Sequence, residues 1–196
     1  MDTKVYVSLG NSCSIAYNLN LYNLRKESYP FDWVRVANLN NITSLIENKF
    51  VDFLDINTFI FKEFSDKFEV NNKLGSYIYK NNYCCFYHEF ENRIDQEKIL
   101  YFKEKYKRRI ERFLELLSSN KNIIFIREEF GKISIIKINK FIKKLYDFNP
   151  NINFKIILIT NDSQLINIPN VKKYVSNIQI TNWKRPELNW MEIFNI

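Results

Sequence analysis

Residue types able to do chemistry gather first at the end of a short β-branched run, Lys4 to Leu9. There Gly10, Asn11 and Ser12 lead into Cys13. A cysteine that opens a helix meets unsatisfied N–H groups and the positive end of the dipole, which favour the thiolate and lower its pKa. The Gly10-Asn11 turn can aim backbone N–H groups and a side-chain amide at an oxyanion. Cys13 reads equally as a small core residue, because free cysteines are among the most buried side chains. His88 is the only histidine, so thiol chemistry that needs an imidazole base has one candidate. The plainer alternative is a strand histidine facing solvent or satisfied in the core. Asp32, in the run Pro30-Phe31-Asp32-Trp33, could orient His88 or an arginine, or close an Asx turn. Arg25, Arg35 and Arg127 could bind an acidic substrate group or serve as ion-pair residues. Cys84 and Cys85 read as packing.

These residues need elements to hold them. The spacing predicts a strand over 4–9, a tight turn, and a helix over 13–23 with Ile15, Leu19 and Tyr22 in phase. A turn at 28–33 and a helix over 39–50 follow. Residues 51–70 read as irregular. Residues 76–90 read as a β-hairpin turning at Asn81-Asn82, and 95–117 as a long amphipathic helix. The continuous apolar runs 122–127 and 155–160 predict strands covered on both faces, with a helix over 135–148 between them. A helical turn at 163–166, a fourth strand at 178–181 and a closing helix at 188–194 complete the chain. The fold expected is one α/β domain over 1–196: a mostly parallel sheet with helices on both faces plus a β-hairpin insertion. A papain-like α+β arrangement is the alternative. Ligands of open parallel sheets bind beyond the carboxyl ends of the strands. That rim would hold Ser8, Gly10, Asn11, Ser12 and Cys13, then Arg127, Glu128 and Glu129, then Thr160, Asn161 and Asp162, then Asn182 and Trp183. Phe31 and Trp33 are expected to be buried, turning Asp32 toward the Cys13 helix.

Composition narrows the field. Of 196 residues only 3 are glycine, and neither G-x-x-x-x-G-K-[ST] nor G-x-G-x-x-G occurs, so the common phosphate-cradling signatures are absent. The net charge of +7 accompanies abundant Lys, Asn, Ile, Tyr and Phe, a pattern that A/T-rich coding produces. The densest basic stretch, Lys103 to Arg112, is broken by Glu104 and Glu111 and reads as a solvated helix face rather than a nucleic-acid surface. Three cysteines with no C-x-x-C pair argue against zinc and for a reducing compartment, so no metal and no cofactor is expected. No apolar run approaches the ~20 residues of a membrane span, and the first residues do not read as a signal peptide. A cytoplasmic location is expected, in the host cytoplasm for a viral chain.

Four blocks carry a resemblance: S-L-G-N-S-C-S-I-A-Y-N-L at 8–19, L-R-K-E-S-Y-P-F-D-W at 24–33, I-E-N-K-F-V-D-F-L at 46–54, and Y-H-E-F at 87–90. They resemble the putative papain-like cysteine peptidase family of unknown-function proteins, with members in bacteria, poxviruses and other large DNA viruses. The closing W-x-x-I-F at 190–194 is similar too. The family's H-D-F stands here as His88-Glu89-Phe90. The resemblance implies a Cys–His centre with Cys13 as nucleophile and His88 as base. The buried strands after residue 122 fit a flavodoxin-like or lipase-type layout better than a papain barrel.

Three functions stay open at this point. The first is a thiol hydrolase or acyltransferase: Cys13 attacks a carbonyl of a peptide, amide or thioester, His88 moves the proton, Asp32 orients, and Gly10, Asn11 and Ser12 serve the oxyanion, with Arg25, Arg127 and Asn161 as binding residues. The second is a non-catalytic α/β binding or host-interaction module. The third is a sugar- or nucleotide-handling transferase.

Overall fold

The computed structural model describes residues 4–164 and 167–195. In chain order its elements are β1 (Val5–Ser8), α1 (Ser14–Leu21), β2 (Val34–Arg35), α2 (Leu39–Glu47), a 3-10 turn (Ile56–Thr58), β3 (Ile60–Val70), β4 (Lys73–Lys80), β5 (Cys85–Phe86), α3 (Gln96–Leu117), β6 (Asn122–Glu129), α4 (Ile135–Phe148), β7 (Asn153–Thr160), β8 (Val171–Val175) and α5 (Trp190–Asn195). They form two four-stranded sheets. One is parallel, in the order β1-β6-β7-β8, and the other is antiparallel, in the order β2-β5-β4-β3.

The parallel sheet carries helices on both faces, as its continuous apolar strands predict. Ile15 and Leu19 of α1 and Trp190, Ile193 and Phe194 of α5 pack on Ile124, Ile126, Ile157 and Ile159. The opposite face, with Val7, Phe125, Ile156 and Leu158, joins a larger core that includes Phe141 and Leu145 of α4 and Phe102, Tyr106 and Phe113 of α3. That core continues to Val34, Tyr79 and Phe86 of the antiparallel sheet. Local signals set the helix starts. Asp95 caps α3 by accepting from the Lys98 N–H at 2.9 Å, and Asn38 caps α2 through the Asn40 N–H at 3.1 Å.

Several expectations change. The fold is α/β, but "mostly parallel" holds for only one of its two sheets. The second sheet is more than a hairpin insertion, because residues 60–70 form its longest strand. That strand was hidden because it is exposed along most of its length at the sheet's edge, so it lacks the apolar alternation of a half-buried strand. Its tight turn is Asn71-Asn72, both left-handed with φ of 51° and 64°, the geometry of a type I′ hairpin. Asn81 also makes a turn, its Oδ1 accepting from the N–H groups of Tyr83 and Cys84, but β5 beyond it is only two residues long. The fourth parallel strand is Val171–Val175, not 178–181, where Ile178 and Ile180 stand half-exposed. β1 lies at the edge of its sheet, so a flavodoxin-like layout, with a strand on either side of the first, does not hold. Of the helical turn expected at 163–166, Leu165 and Ile166 lie outside the described residues, and Ser163 and Gln164 are not helical.

Candidate active site

At the carboxyl end of β1 the chain turns sharply. Gly10 and Asn11 are both left-handed, with φ of 68° and 66°. A Cβ on Gly10 would meet Val36 Cγ2 at 3.2 Å and the Val34 carbonyl at 3.3 Å, so the turn also packs directly on the end of β2. Asn11 is buried and its Nδ2 donates to the Glu128 carbonyl at 2.7 Å, anchoring the turn to β6. Its amide is therefore engaged in holding the turn. The Ser12 hydroxyl accepts from the Ser14 N–H at 3.3 Å and shares a 2.6 Å hydrogen bond with Ser14 Oγ. Cys13 is the residue that precedes α1, in helical backbone conformation, and its carbonyl accepts from the Tyr17 N–H at 3.1 Å.

Cys13 is half-buried at a cleft of about 480 Å³ that Arg35, Tyr87, Phe68 and Trp183 also line. Burial pushes its thiol up to about 12; the negative charges of Glu89 and Asp32 add to this and Arg35 opposes it. The helix start was expected to lower this pKa. Desolvation acts in the opposite direction, because a thiolate taken from water loses hydration. Burial also raises Cys84 and Cys85, the latter against Arg35, Lys62 and Lys80.

His88 lies in an adjoining cavity of about 330 Å³, which shares Trp183 with the Cys13 cleft. Its ring sits against Trp183 at 4.9 Å, Phe68 at 5.4 Å and Trp33 at 5.6 Å. Nδ1 lies 2.9 Å from the Glu69 carbonyl, a contact that makes Nδ1 the donor, and buried Nε2 has no protein partner. Burial lowers the imidazole's pKa. The resting pair is thus a neutral thiol and a neutral imidazole rather than a thiolate–imidazolium. No hydrogen bond joins them among the described residues. Tyr87, the residue before His88, lines the Cys13 cleft instead, and Arg35 lowers its phenol pKa against the rise caused by burial. Both residues lie in the bend that follows β5, so their side chains diverge.

The remaining expected site residues are placed as follows. Asp32 is 1% exposed and accepts from Arg25 Nε at 2.9 Å and from the Tyr29 N–H at 2.9 Å; its partner is the arginine, not His88. Phe31 is buried as expected, but Trp33 is only half-buried. Arg127 has no exposed surface, and its guanidinium donates to the carbonyls of Leu9, Val36 and Ala37. It ties the end of β1 to the end of β2 and is closed to substrate. Asn161 lies in a small cavity of about 60 Å³ beside Glu128 and Arg185, not in the Cys13 cleft.

Sequence reasoning placed Glu128 on the rim and Glu89 beside His88 but missed that both are supports. Buried Glu128 pairs with Arg185, accepts from Ser14 Oγ at 3.4 Å, and has its carboxyl pKa raised by burial. Glu89 is the other: its carboxylate accepts from Tyr106 Oη at 2.7 Å and from Arg109 Nη1 at 3.4 Å, and pairs with Lys105. Lys105 and Arg109 thus turn inward from the basic stretch that read as a solvated face, and Arg112 donates to the Ser28 carbonyl at 2.7 Å. Their spacing on α3 beside Tyr106 was the available signal for an acidic partner.

The family model "Putative papain-like cysteine peptidase (DUF1796)" matches residues 4–164, a span that contains Cys13, Asp32 and His88. The chain belongs to this family. An uncharacterized protein of Acanthamoeba polyphaga mimivirus is 34% identical over 218 residues, covering 98% of this chain and 97% of the relative. No solved structure gives a significant match. The family match ends before Trp183 and Arg185, which wall the Cys13 cleft, whereas the viral relative spans nearly the whole chain. Among the described residues no helix is long and apolar enough to cross a membrane, and no group of three or more His, Cys, Asp or Glu could hold a metal ion.

Proposed function

We propose that this protein is a thiol hydrolase of the cysteine-peptidase type, with Cys13 as nucleophile and His88 as base, acting on a peptide, amide or thioester. The observation that carries the reading is the state of His88. A ring held through Nδ1 by a backbone carbonyl, with Nε2 buried and unpartnered, is an oriented base with a free lone pair. Family membership supports the peptidase class.

Because both groups rest neutral, the proton moves as the sulfur attacks. The Cys13 S–H proton passes to His88 Nε2 while Sγ bonds the carbonyl carbon. The tetrahedral intermediate collapses to a thioester, and His88 returns the proton to the leaving amine or thiolate. Water then cleaves the thioester with His88 again as base. Backbone N–H groups at the start of α1 face the oxyanion, and Asn11 serves it indirectly by fixing the turn. Asp32 acts by holding the 25–33 loop through Arg25. The Glu69 carbonyl takes the orienting role for the imidazole. For the two side chains to meet, the Trp183 wall common to both cavities must give way as substrate enters.

The test is the pH dependence of Cys13 alkylation, read by mass spectrometry so that Cys84 and Cys85 are scored separately. A plateau at neutral pH that disappears in His88→Ala is the expected result. A rate that climbs steadily toward pH 12, unchanged by His88→Ala, would show a thiol with no base and favour a non-catalytic binding module.

A further inference from the structure

Of the three arginines that could meet an acidic group, two are occupied. Arg25 is held by Asp32, and Arg127 is buried against carbonyls. Arg35 differs. It lies at the end of β2 with an exposed side chain that lines the Cys13 cleft, and among the described residues no carboxylate pairs with it. The ring of Phe130 lies 5.9 Å from its guanidinium, and Tyr87 lines the cleft beside it. Lys67 of β3 lines the same cleft and also lacks a carboxylate partner among the described residues. The lining contains one acid, Glu63, against these two cations; the charge of Arg185 is already matched by Glu128 and Glu187. Phe68, Phe130, Ile180 and Trp183 supply the rest of the wall. Apolar walls around an uncompensated cation focus its field into the cleft.

We propose that Arg35, with Lys67, forms an anion subsite beside Cys13 that selects acyl substrates carrying a carboxylate next to the attacked carbonyl, such as a peptide with Asp or Glu at that position. The inference rests on Cys13 as the nucleophile and adds the substrate class. Arg35 holds the carboxylate, and the carbonyl beside it then lies over the sulfur. The charge of Arg35 already acts on the thiol at rest, opposing the rise caused by burial, which places the two groups within electrostatic reach.

The experiment compares iodoacetate with iodoacetamide as alkylating agents of Cys13 in the full chain. With either reagent the sulfur displaces iodide and a C–S bond forms, so the two differ in charge alone. The ratio of the two rates cancels any change in thiolate fraction. That matters because Arg35→Gln is itself expected to raise the thiol pKa. Normalised to N-acetylcysteine, the iodoacetate preference at Cys13 should be raised roughly three- to five-fold, the size of a solvent-accessible charge pair. Arg35→Gln should abolish it, Arg35→Lys should keep most of it, and Lys67→Gln should lower it less. In the unsubstituted protein added salt should shrink the preference, a readout that needs no variant to fold. A ratio equal to that of the free thiol, or one indifferent to salt, overturns the subsite and leaves the nucleophile standing. A Cys13 that neither reagent modifies while Cys85 is labelled overturns the nucleophile, and the subsite with it.

Discussion

The two halves of the candidate centre are built differently. Cys13 hangs from the parallel sheet by a five-residue path from Ser8, through two left-handed residues, with Asn11 anchored on β6 and Arg127 clamping the strand ends behind it. His88 follows a two-residue strand, β5, and its ring is fixed from the side by the carbonyl of Glu69 at the far end of β3. The first half is rigid because its turn is tied to β6 through Asn11 Nδ2 and the Leu9 N–H, and internally through Ser8 Oγ and Ser12 Oγ. The second depends on β3, an exposed edge strand with two register shifts against β4, and on Glu89, a buried carboxylate held by three side chains of α3. On the proposed mechanism, a thiol on a rigid turn and an imidazole on an adjustable element form an arrangement that substrate can complete.

The largest effect should come from the clamp behind Cys13. Arg127→Met removes a fully buried guanidinium and leaves the carbonyls of Leu9, Val36 and Ala37 without it, along with the Glu129 carboxylate. Breaking a buried charge pair costs about 3–5 kcal/mol, which lowers the melting temperature by about 10 °C in a chain of this size. Thermal melting checks it. A drop of a degree or two would mean that the β1 turn does not depend on this clamp, and the contrast between the two halves would fail.

On the other half, Glu89→Gln keeps an acceptor for Tyr106 but strands Lys105 and Arg109. The expected cost is about 3 kcal/mol, because both cations then lie against an uncharged amide. The variant should have a second signature. Glu89 is one of the negative charges that raise the Cys13 thiol, so alkylation of Cys13 should become faster in a variant that is less stable. If alkylation slows instead, Glu89 supports the base more than it opposes the thiolate.

What could be read from sequence follows the same division. The strand, turn and helix around Cys13 were legible because each signal is local: a β-branched run, Gly10 and Asn11 for the left-handed turn, and a 3.6-residue period from Ile15 to Leu19. The buried strands at 122–127 and 155–160 were legible from unbroken apolar runs, and each extends two residues further, to Glu129 and back to Asn153. The base's surroundings were not. Residues 60–70 form a strand through long-range pairing with 73–80, and nothing in Ile60-Phe61-Lys62-Glu63 alternates. Which of Tyr87 and His88 faces the cleft is set in the bend after β5, where the ladder pairs of Cys85 and Phe86 have ended. The thiol pKa could not be read either. A helix start is visible in sequence, whereas the burial of the thiol is not: its cleft is lined by Trp183, some 170 residues away, and by Phe68 on the other sheet.

The smallest expected effect is the most specific to the His88 half. Burial depresses the imidazole's pKa, with Glu69 and Glu89 opposing and Lys184 assisting. As the pH falls through about 6.5, the unfolded chain takes up the histidine proton first. The folded protein resists until the pH reaches its own lower value. The stability gained by keeping the ring neutral is therefore complete above about 6.5 and is lost progressively as acid is added, levelling off below the folded pKa. Asp32 and Glu128 work the other way, since their raised carboxyl pKa values make the folded state the better proton binder at acid pH. The net slope thus mixes signs, and the informative quantity is the difference between the unsubstituted protein and His88→Gln. That difference should narrow between pH 7 and pH 5, because the variant has no imidazole to protonate. The measurement is paired thermal melts across this range at constant ionic strength. Parallel curves would show that His88 titrates alike in both states; the imidazole would then be solvated rather than held neutral by the fold, and the neutral pair drawn for the resting centre would have to be given up.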